Sequence, residues 1–269
     1  MSRIKLILSY IFGFITSLLI SILVMLFIVK YTVLDEKYIK GVLVKNNYYS
    51  EVYKGTIEEM KNYMVSSGLD ELILDDIFSE KDIKRDINNY IDALYRSDKY
   101  EVDTSLVREK LTSNIDTYLT SNNVEVTNKK ELELFKDDIV SIYKDEVTFY
   151  NRLNLIKGYI NKGNKYIDGL IYGCSALILI SIVILIVCKY KIISSALISS
   201  GLINLFIRLM IYEKIDIKHI TIISDYFSES LRFILFRIGY YLLQSSILLI
   251  VVGLIILIIE SLGKKEKLN

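Results

Sequence analysis

Four stretches with almost no charged residues dominate the pattern of polar and apolar positions. These stretches are Leu6–Val29, Gly169–Cys188, Ile192–Ile207 and Ile238–Ile259. A helix of about 20 apolar residues spans the hydrocarbon core of a bilayer, and the first, second and fourth stretches reach that length. The third reaches it only by including Arg208 and ending near Tyr212, where an arginine side chain can extend to the lipid headgroups. The pattern therefore predicts four membrane-spanning helices.

The first apolar stretch is predicted to be a retained membrane anchor rather than a secretory signal peptide. Its apolar core is longer than the roughly 7–15 residues of a signal peptide. No pair of small residues that would mark a cleavage site follows it, because the chain continues through the bulky segment Phe27–Tyr31.

The segment between the first two spans, residues 31–165, has the apolar period of amphipathic helices and no strand-like alternation. Ser79 and Asp82 form the pattern of a capping box ahead of one such helix. Four apolar stripes are evident: Tyr38, Val42, Tyr49, Tyr53, Ile57, Met60 and Met64; Ile83, Ile87, Ile91 and Leu94; Val107, Leu111, Ile115, Tyr118 and Leu119; and Leu132, Phe135, Ile139, Ile142, Tyr143, Val147, Tyr150, Leu153 and Ile156. We expect Gly68 to end the first helix, Asp103 or Thr104 to cap the third, and the fourth to open at Thr127 and break near Gly163. Four stripes facing inward predict a helical bundle.

Basic residues flank the apolar stretches in three short segments, and these segments set the expected topology. Lys and Arg in short loops are retained on the cytoplasmic side. The residues are Arg3 and Lys5, Lys189 and Lys191, and Lys264, Lys265 and Lys267. The sequence therefore predicts cytoplasmic N- and C-termini, with residues 31–165 (20 basic and 25 acidic side chains) and 213–237 on the outer side.

These boundaries give the predicted organisation of an all-α, four-span helical membrane protein with an extracytoplasmic helical bundle between spans 1 and 2. The first span occupies residues 1–30 and the extracytoplasmic domain residues 31–165. A three-span domain occupies residues 166–260 and a basic tail residues 261–269. Residues 213–237 form an amphipathic outer loop that we expect either in the outer interface or against the extracytoplasmic domain. Its apolar side carries Ile217, Ile220, Ile223, Phe227, Leu231, Ile234 and Leu235.

Candidate catalytic and metal-binding chemistry is sparse. Cys174 and Cys188 are 14 residues apart on one predicted helix, about 21 Å by helical rise, which is too far for a disulfide. His219 is the single histidine. Two pairs of adjacent acids occur, Asp75–Asp76 and Asp137–Asp138. Neighbouring side chains on a helix point in different directions, so neither pair forms a paired-carboxylate site by itself, and we expect both pairs to be solvated. We therefore expect no enzyme activity, no cofactor, no metal and no nucleic-acid partner.

Three polar residues within the spans, Asn204, Arg208 and Gln244, form the candidate intramembrane polar cluster. An ionisable group within a membrane span is a functional hypothesis by default. A structural hydrogen-bonding role and a ligand or transport role both remain open for this cluster. Small residues spaced by four are expected to line helix-packing faces. These are Gly13, Ser17 and Ser21; Gly169 and Gly173; Ser195 and Ser199; and Ala196 and Ser200.

The expected function follows from the large outer domain. We expect a non-enzymatic multi-pass protein of the plasma membrane whose outer helical domain binds a protein or envelope partner in an accessory or assembly role. A second copy of the same chain, in a homo-oligomer, is the other partner that we expect for this protein. The alternative is an oligomeric small channel or transporter built from the spans. The abundance of Lys, Asn, Ile and Tyr is typical of an AT-rich bacterial genome.

Overall fold

The computed structural model describes residues 3–65, 69–126, 128–149, 153–187, 192–214 and 225–265. Within these ranges the chain forms nine α-helices and one 3₁₀ turn at Glu71–Leu74, and it forms no strand. The helices are α1 Arg3–Tyr31, α2 Glu36–Lys45, α3 Tyr48–Met64, α4 Glu80–Arg96, α5 Ser105–Ser121, α6 Lys129–Val147, α7 Asn154–Val187, α8 Ile193–Lys214 and α9 Asp225–Lys265. The predicted all-α class is confirmed.

The chain divides into two compact units. The apolar unit comprises Met1–Asp35, Lys162–Ile220 and Leu231–Asn269. The helical domain comprises Glu36–Asn161 and Thr221–Ser230. Helices α7 and α9 therefore each contribute residues to both units.

Four helices in the described part of the chain are long and apolar enough to cross a membrane, as the sequence predicts. The qualifying segments are Ile7–Tyr31 in α1, Ile156–Ile186 in α7, Ile193–Glu213 in α8 and Tyr226–Leu262 in α9. Helix α7 has 34 residues and α9 has 41. At 1.5 Å per residue both are longer than the roughly 30 Å hydrocarbon core, so only part of each is needed to span it.

Within the apolar unit, α1 and α8 pack in parallel. The Ser21 hydroxyl donates a hydrogen bond to the Ser200 carbonyl oxygen at 3.1 Å. Gly13 lies against the side chain of Ile192. The separation along the chain between Gly13 and Ile192 is the same as that between Ser21 and Ser200, 179 residues. An equal separation at both contacts means that the two helices run in the same direction. Gly13, Ser17 and Ser21 are buried, as expected for a packing face of small residues.

Helices α8 and α9 pack antiparallel, with close backbone approach at two glycines. A Cβ atom on Gly201 would lie 2.8 Å from the carbonyl oxygen of Ser246, and one on Gly253 would lie 2.9 Å from that of Ser194. Such contacts are typical of helices that pack through small residues in lipid. By contrast, Gly169 and Gly173, which the spacing also marks as a packing pair, have open space beside them in α7.

The core of the helical domain is built from one buried side of each helix α2 to α6. The capping box predicted at Ser79 and Asp82 is present at the start of α4. The stripe that follows it is buried: Ile83, Ile87, Ile91 and Leu94. In α5 the buried residues are Val107, Leu111 and Ile115, while Asp103 accepts a hydrogen bond from the Ser105 N–H beside the Thr104 N-cap. The apolar period therefore identified the faces of α4 and α5 correctly.

The first predicted stripe is divided between two helices. Asn47 adopts a left-handed conformation with φ of 51° and separates α2 from α3. The predicted end of α3 at Gly68 lies outside the described residues. A short segment without helical period follows and fills the core around the 3₁₀ turn: Ile73, Leu74, Ile77 and Phe78 are buried there.

The prediction for the last helix of the domain was wrong about its break. The predicted start at Thr127 lies outside the described residues, and Asn128 caps α6 by accepting a hydrogen bond from the Glu131 N–H. Helix α6 ends at Val147, and Phe149 has a φ of 54° that turns its ring into the core. Helix α7 then runs without interruption through Gly163. At that position glycine allows the close approach of Leu34, because an added Cβ would lie 2.9 Å from its Cδ2 atom.

The first turn of α9 completes the core of the helical domain. The rings of Tyr226 and Phe227 pack edge-to-face against Tyr48, with centroids 5.7 and 6.4 Å away. The Tyr226 hydroxyl donates to the carboxylate of the buried Glu146 at 2.9 Å. Of the two placements expected for residues 213–237, these contacts show packing against the domain for this turn, whereas Ile217, Ile220 and Ile223 lie outside the described residues.

Candidate functional site

Asn204 is the most deeply buried member of the candidate polar cluster. Its side chain in α8 has no exposed surface. Neither its amide nitrogen nor its amide oxygen has a hydrogen-bond partner among the described residues. A buried amide without hydrogen-bond partners is unfavourable, because it loses its hydrogen bonds to water without replacing them.

Arg208 lies one turn further along α8, on the same side as Asn204. Its guanidinium group stacks over the ring of Tyr212, with Cζ 5.1 Å from the ring centroid. The Nε atom is buried and has no partner in the described part of the chain. Arg208 therefore combines a cation–π contact towards the end of the helix with an unpaired donor one turn from Asn204.

Gln244, the third residue of the predicted cluster, lies on α9, on a face other than the one that contacts α8. Its side chain is exposed and donates a hydrogen bond to the Tyr240 hydroxyl at 3.0 Å, within the same helix. Ser246 marks the side of α9 that contacts α8, and a residue two positions away points about 160° around the helix. The structure thus brings Asn204 and Arg208 together and turns Gln244 away from them.

The opposite end of α8 carries a second polar contact, which sequence reasoning missed. The hydroxyl of the buried Ser194, in the first turn of α8, lies 3.4 Å from a carboxylate oxygen of Glu260 in α9. A carboxylate is stabilised near the N-terminus of a helix, where the helix dipole is positive. Because α8 and α9 are antiparallel, Glu260 and Arg208 lie at opposite ends of α8.

On the helical domain, an open groove of about 480 Å³ runs between α3 and α6. Three of its six lining residues are acidic and none is basic: Glu59, Tyr63, Asp138, Ser141, Ile142 and Asp145. The Tyr63 ring stacks on Phe135 with centroids 5.9 Å apart, and its hydroxyl donates to Asp138. That hydrogen bond raises the pKa of Tyr63. The groove therefore combines one aromatic side chain, Tyr63, with three carboxylates.

The adjacent acid pair Asp137–Asp138, expected to be solvated, is divided between two roles. Asp137 and Glu133 bind Arg108 of α5, with the Glu133 pair at 2.8 Å. These two ion pairs connect α5 to α6. Asp138 instead belongs to the α3–α6 groove.

Metal ligation and similarity to known proteins add no further assignment. Among the described residues, no group of three or more His, Cys, Asp and Glu side chains is placed to hold a metal ion. His219 lies outside them. Comparisons with protein-family models, with curated proteins and with solved structures find no match to this chain.

Proposed function

We propose that this chain is a multi-pass plasma-membrane protein whose extracytoplasmic helical domain binds a protein or envelope partner in an accessory or assembly role. The observation that supports the proposal is the acidic groove between α3 and α6. The distribution of basic residues supports an outward-facing domain and cytoplasmic termini.

The lining of the groove indicates the kind of partner that it suits. Glu59, Asp138 and Asp145 present carboxylates, and the side chains of Tyr63 and Ile142 present an apolar surface. A segment with two or more Lys or Arg side chains beside an aliphatic or aromatic residue complements both features. Exposed charges of this kind mainly accelerate association and select partners, so we expect a salt-sensitive complex of moderate affinity.

Capture from native membranes with charge-neutralised variants tests the proposal. The groove variant carries Glu59→Gln, Asp138→Asn and Asp145→Asn. The control carries the same loss of charge elsewhere, with Glu109→Gln and Asp116→Asn on the exposed side of α5 and Glu125→Gln after it. After crosslinking in intact cells, we expect wild type and control to retain one common partner and the groove variant to lose it. Equal recovery by all three proteins would contradict the proposal.

A channel or transporter remains the second candidate function, favoured by two buried polar groups one helical turn apart that have no partner among the described residues, the amide of Asn204 and the Nε atom of Arg208. Polar groups of this kind within membrane helices mark substrate or ion pathways in many proteins. Under this alternative, proteoliposomes of the purified protein conduct ions or small solutes, and Asn204→Leu abolishes the flux. No flux from any oligomer of the wild-type protein would eliminate it.

A further inference from the structure

Two basic side chains of the apolar unit lie at the same level, one on α1 and one on α8. The two helices are parallel, and residues of α1 contact residues that are 179 positions further along the chain. The same separation places Lys30, in the last turn of α1, level with Leu209, which is next to Arg208. Both basic side chains are partly exposed. The ends of α1 and α8 therefore each present a cation at one height along the helices.

Helices α7 and α9 carry charged side chains at this level too. Lys30 forms an ion pair with Asp168 of α7. On α9, Gly239 contacts the ring of Tyr212 near the end of α8, because an added Cβ atom would lie 2.8 Å from the Cε2 atom of that ring. Arg237 is two residues from this contact and is partly exposed. All four helices therefore place a charged side chain within about one helical turn of one plane. The polar layer defined in this way comprises residues 30–31, 165–172, 208–213 and 233–240.

Aromatic rings accompany the cations of the polar layer. Four cations each lie over a ring of their own helix, with the charged group 5.1 to 5.5 Å from the ring centroid: Lys30 over Tyr31, Lys165 over Tyr166, Arg208 over Tyr212 and Arg237 over Phe233. The rings of Tyr31, Tyr166 and Tyr172 are more than half exposed. Tyrosine and basic side chains combine an apolar body with a polar tip, and they are enriched where hydrocarbon meets water.

The charge and the position of the polar layer both fit a boundary of the bilayer. The layer contains four basic and two acidic side chains, and among the described residues Lys30 is the one basic side chain of the four that forms an ion pair. Beyond the layer, the segment Ile238–Ile259 of α9 contains no charged residue. At 1.5 Å per residue this segment is about 33 Å long, close to the roughly 30 Å of a hydrocarbon core.

We propose that the polar layer binds phospholipid headgroups, with a preference for anionic over zwitterionic lipids. Its ammonium, guanidinium and tyrosine hydroxyl groups donate hydrogen bonds to the phosphate oxygens, and its rings lie at the edge of the hydrocarbon. The excess of basic side chains favours anionic headgroups. On the long helix α7, the hydrocarbon then begins near Asp168. This inference rests on the membrane insertion proposed above, but not on the orientation of the chain or on its partner.

Single tryptophans measure the depth of the layer, because the chain contains no tryptophan of its own. The full chain is reconstituted in vesicles of phosphatidylcholine and phosphatidylglycerol. Tyr172→Trp reports on the layer, and Ile180→Trp, which is also exposed and lies about 12 Å further along α7, is the matched control. Lipids brominated near the headgroup should quench Tyr172→Trp more strongly, and lipids brominated near the chain ends should quench Ile180→Trp more strongly.

The possible failures of this measurement are distinguishable. If Tyr172→Trp were as deep as Ile180→Trp, the polar layer would not be the boundary, and the proposal would be overturned while the proposed function stood. If no brominated lipid quenched either tryptophan, membrane insertion itself would be contradicted, and the proposal would fall with it.

The headgroup preference is measured on Tyr172→Trp with phosphatidylglycerol and phosphatidylcholine brominated at the same chain positions. At equal content we expect brominated phosphatidylglycerol to quench about twofold more strongly. Lys165 lies two turns from Tyr172 on the same side of α7, so adding Lys165→Gln should remove at least about half of this excess. Lys81→Gln, the same loss of charge at an exposed position of α4, is the control and should leave the excess unchanged. Equal quenching by the two lipids, or an excess that Lys165→Gln retains in full, would overturn the proposal.

Discussion

The helical domain and the apolar unit both bury polar side chains, but they surround them differently. In the helical domain, Asp86 is 3% exposed and accepts a hydrogen bond from the Tyr143 hydroxyl at 2.6 Å. Its other contacts are the Nε and Nη2 atoms of Arg85, at 2.8 and 3.2 Å. In the apolar unit, Asn204 has no exposed surface and neither polar atom of its amide has a partner among the described residues.

This difference indicates what each polar group does for stability. Asp86 connects α4 to α6 through satisfied hydrogen bonds, and burial together with that bond raises the pKa of Tyr143 well above its ordinary value. Its removal leaves a buried donor unpaired. The amide of Asn204 has no partner among the described residues, so its removal takes away an unfavourable burial. We therefore expect opposite responses to mutation in the two units.

The largest effect should come from adding an unpaired charge to the helical domain. Ile87 is fully buried, and Ile87→Asp should lower the free energy of unfolding by about 4 kcal/mol, because the new carboxylate has no partner. Leu72→Asp is the control, since Leu72 is 66% exposed. Urea unfolding in detergent, followed by circular dichroism, measures both. Equal stability of the two variants would show that Ile87 is not in a packed core.

A smaller loss should follow from removing the satisfied acid. Asp86→Ala should destabilise the protein by about 2–3 kcal/mol, because it leaves the buried Tyr143 hydroxyl unpaired. In the double variant with Tyr143→Phe, part of that loss should be recovered. If the losses in free energy of unfolding from the two single substitutions were simply additive, the hydrogen bond between Tyr143 and Asp86 would not exist.

The response of Asn204 should have the opposite sign. Asn204→Leu should leave the stability unchanged or raise it by about 1 kcal/mol, because it replaces an unpaired amide by an apolar side chain of similar size. Ser200→Leu is the control. Ser200 is buried where α8 meets Ser21 of α1, so a larger side chain there should disrupt the packing of α1 against α8. Unfolding of the purified protein in mixed micelles compares the two. A loss above about 1 kcal/mol in Asn204→Leu would mean that the amide is paired, and the contrast between the two units would disappear.

The smallest effect concerns the capping box of α4 and depends on pH. Burial of Asp82 opposes its ionisation, but hydrogen bonds from Ser79 and the charge of Arg85 lower its pKa below the ordinary 3.8. A lowered folded pKa means that the stabilisation is complete above the unfolded pKa and is lost as the pH falls through the folded pKa. Asp82→Asn should therefore cost about 0.5 kcal/mol at pH 7 and progressively less below pH 3.8. A difference that stays constant down to pH 2 would exclude the charged capping interaction.

Features encoded by local sequence were predictable, and features that depend on distant contacts were not. The capping box at Ser79 and the buried side of α4 follow from spacing alone, because both involve residues within a few turns of one helix. The break at Phe149 was not predictable, since its φ is set by burial of its ring against Tyr48 and Tyr90. The docking of Tyr226 likewise depends on Glu146, which is 80 residues away.

The same distinction applies to the candidate sites. The proximity of Asn204 and Arg208 follows from their spacing of four residues on one helix. The orientation of Gln244 does not, because the rotation of α9 is set by the close contacts at Gly201 and Gly253.

The most direct test of the central claim, an outward-facing helical domain on a four-span membrane protein, is cysteine labelling in intact cells. The background carries Cys174→Ala and Cys188→Ala, and single cysteines replace Ser113, which is exposed on α5, or Tyr190 between the second and third apolar stretches. With an impermeant thiol reagent, we expect Ser113→Cys to be labelled in intact cells and Tyr190→Cys only after the membrane is permeabilised. Labelling of Tyr190→Cys alone in intact cells would invert the topology and contradict the proposed binding of an extracytoplasmic partner.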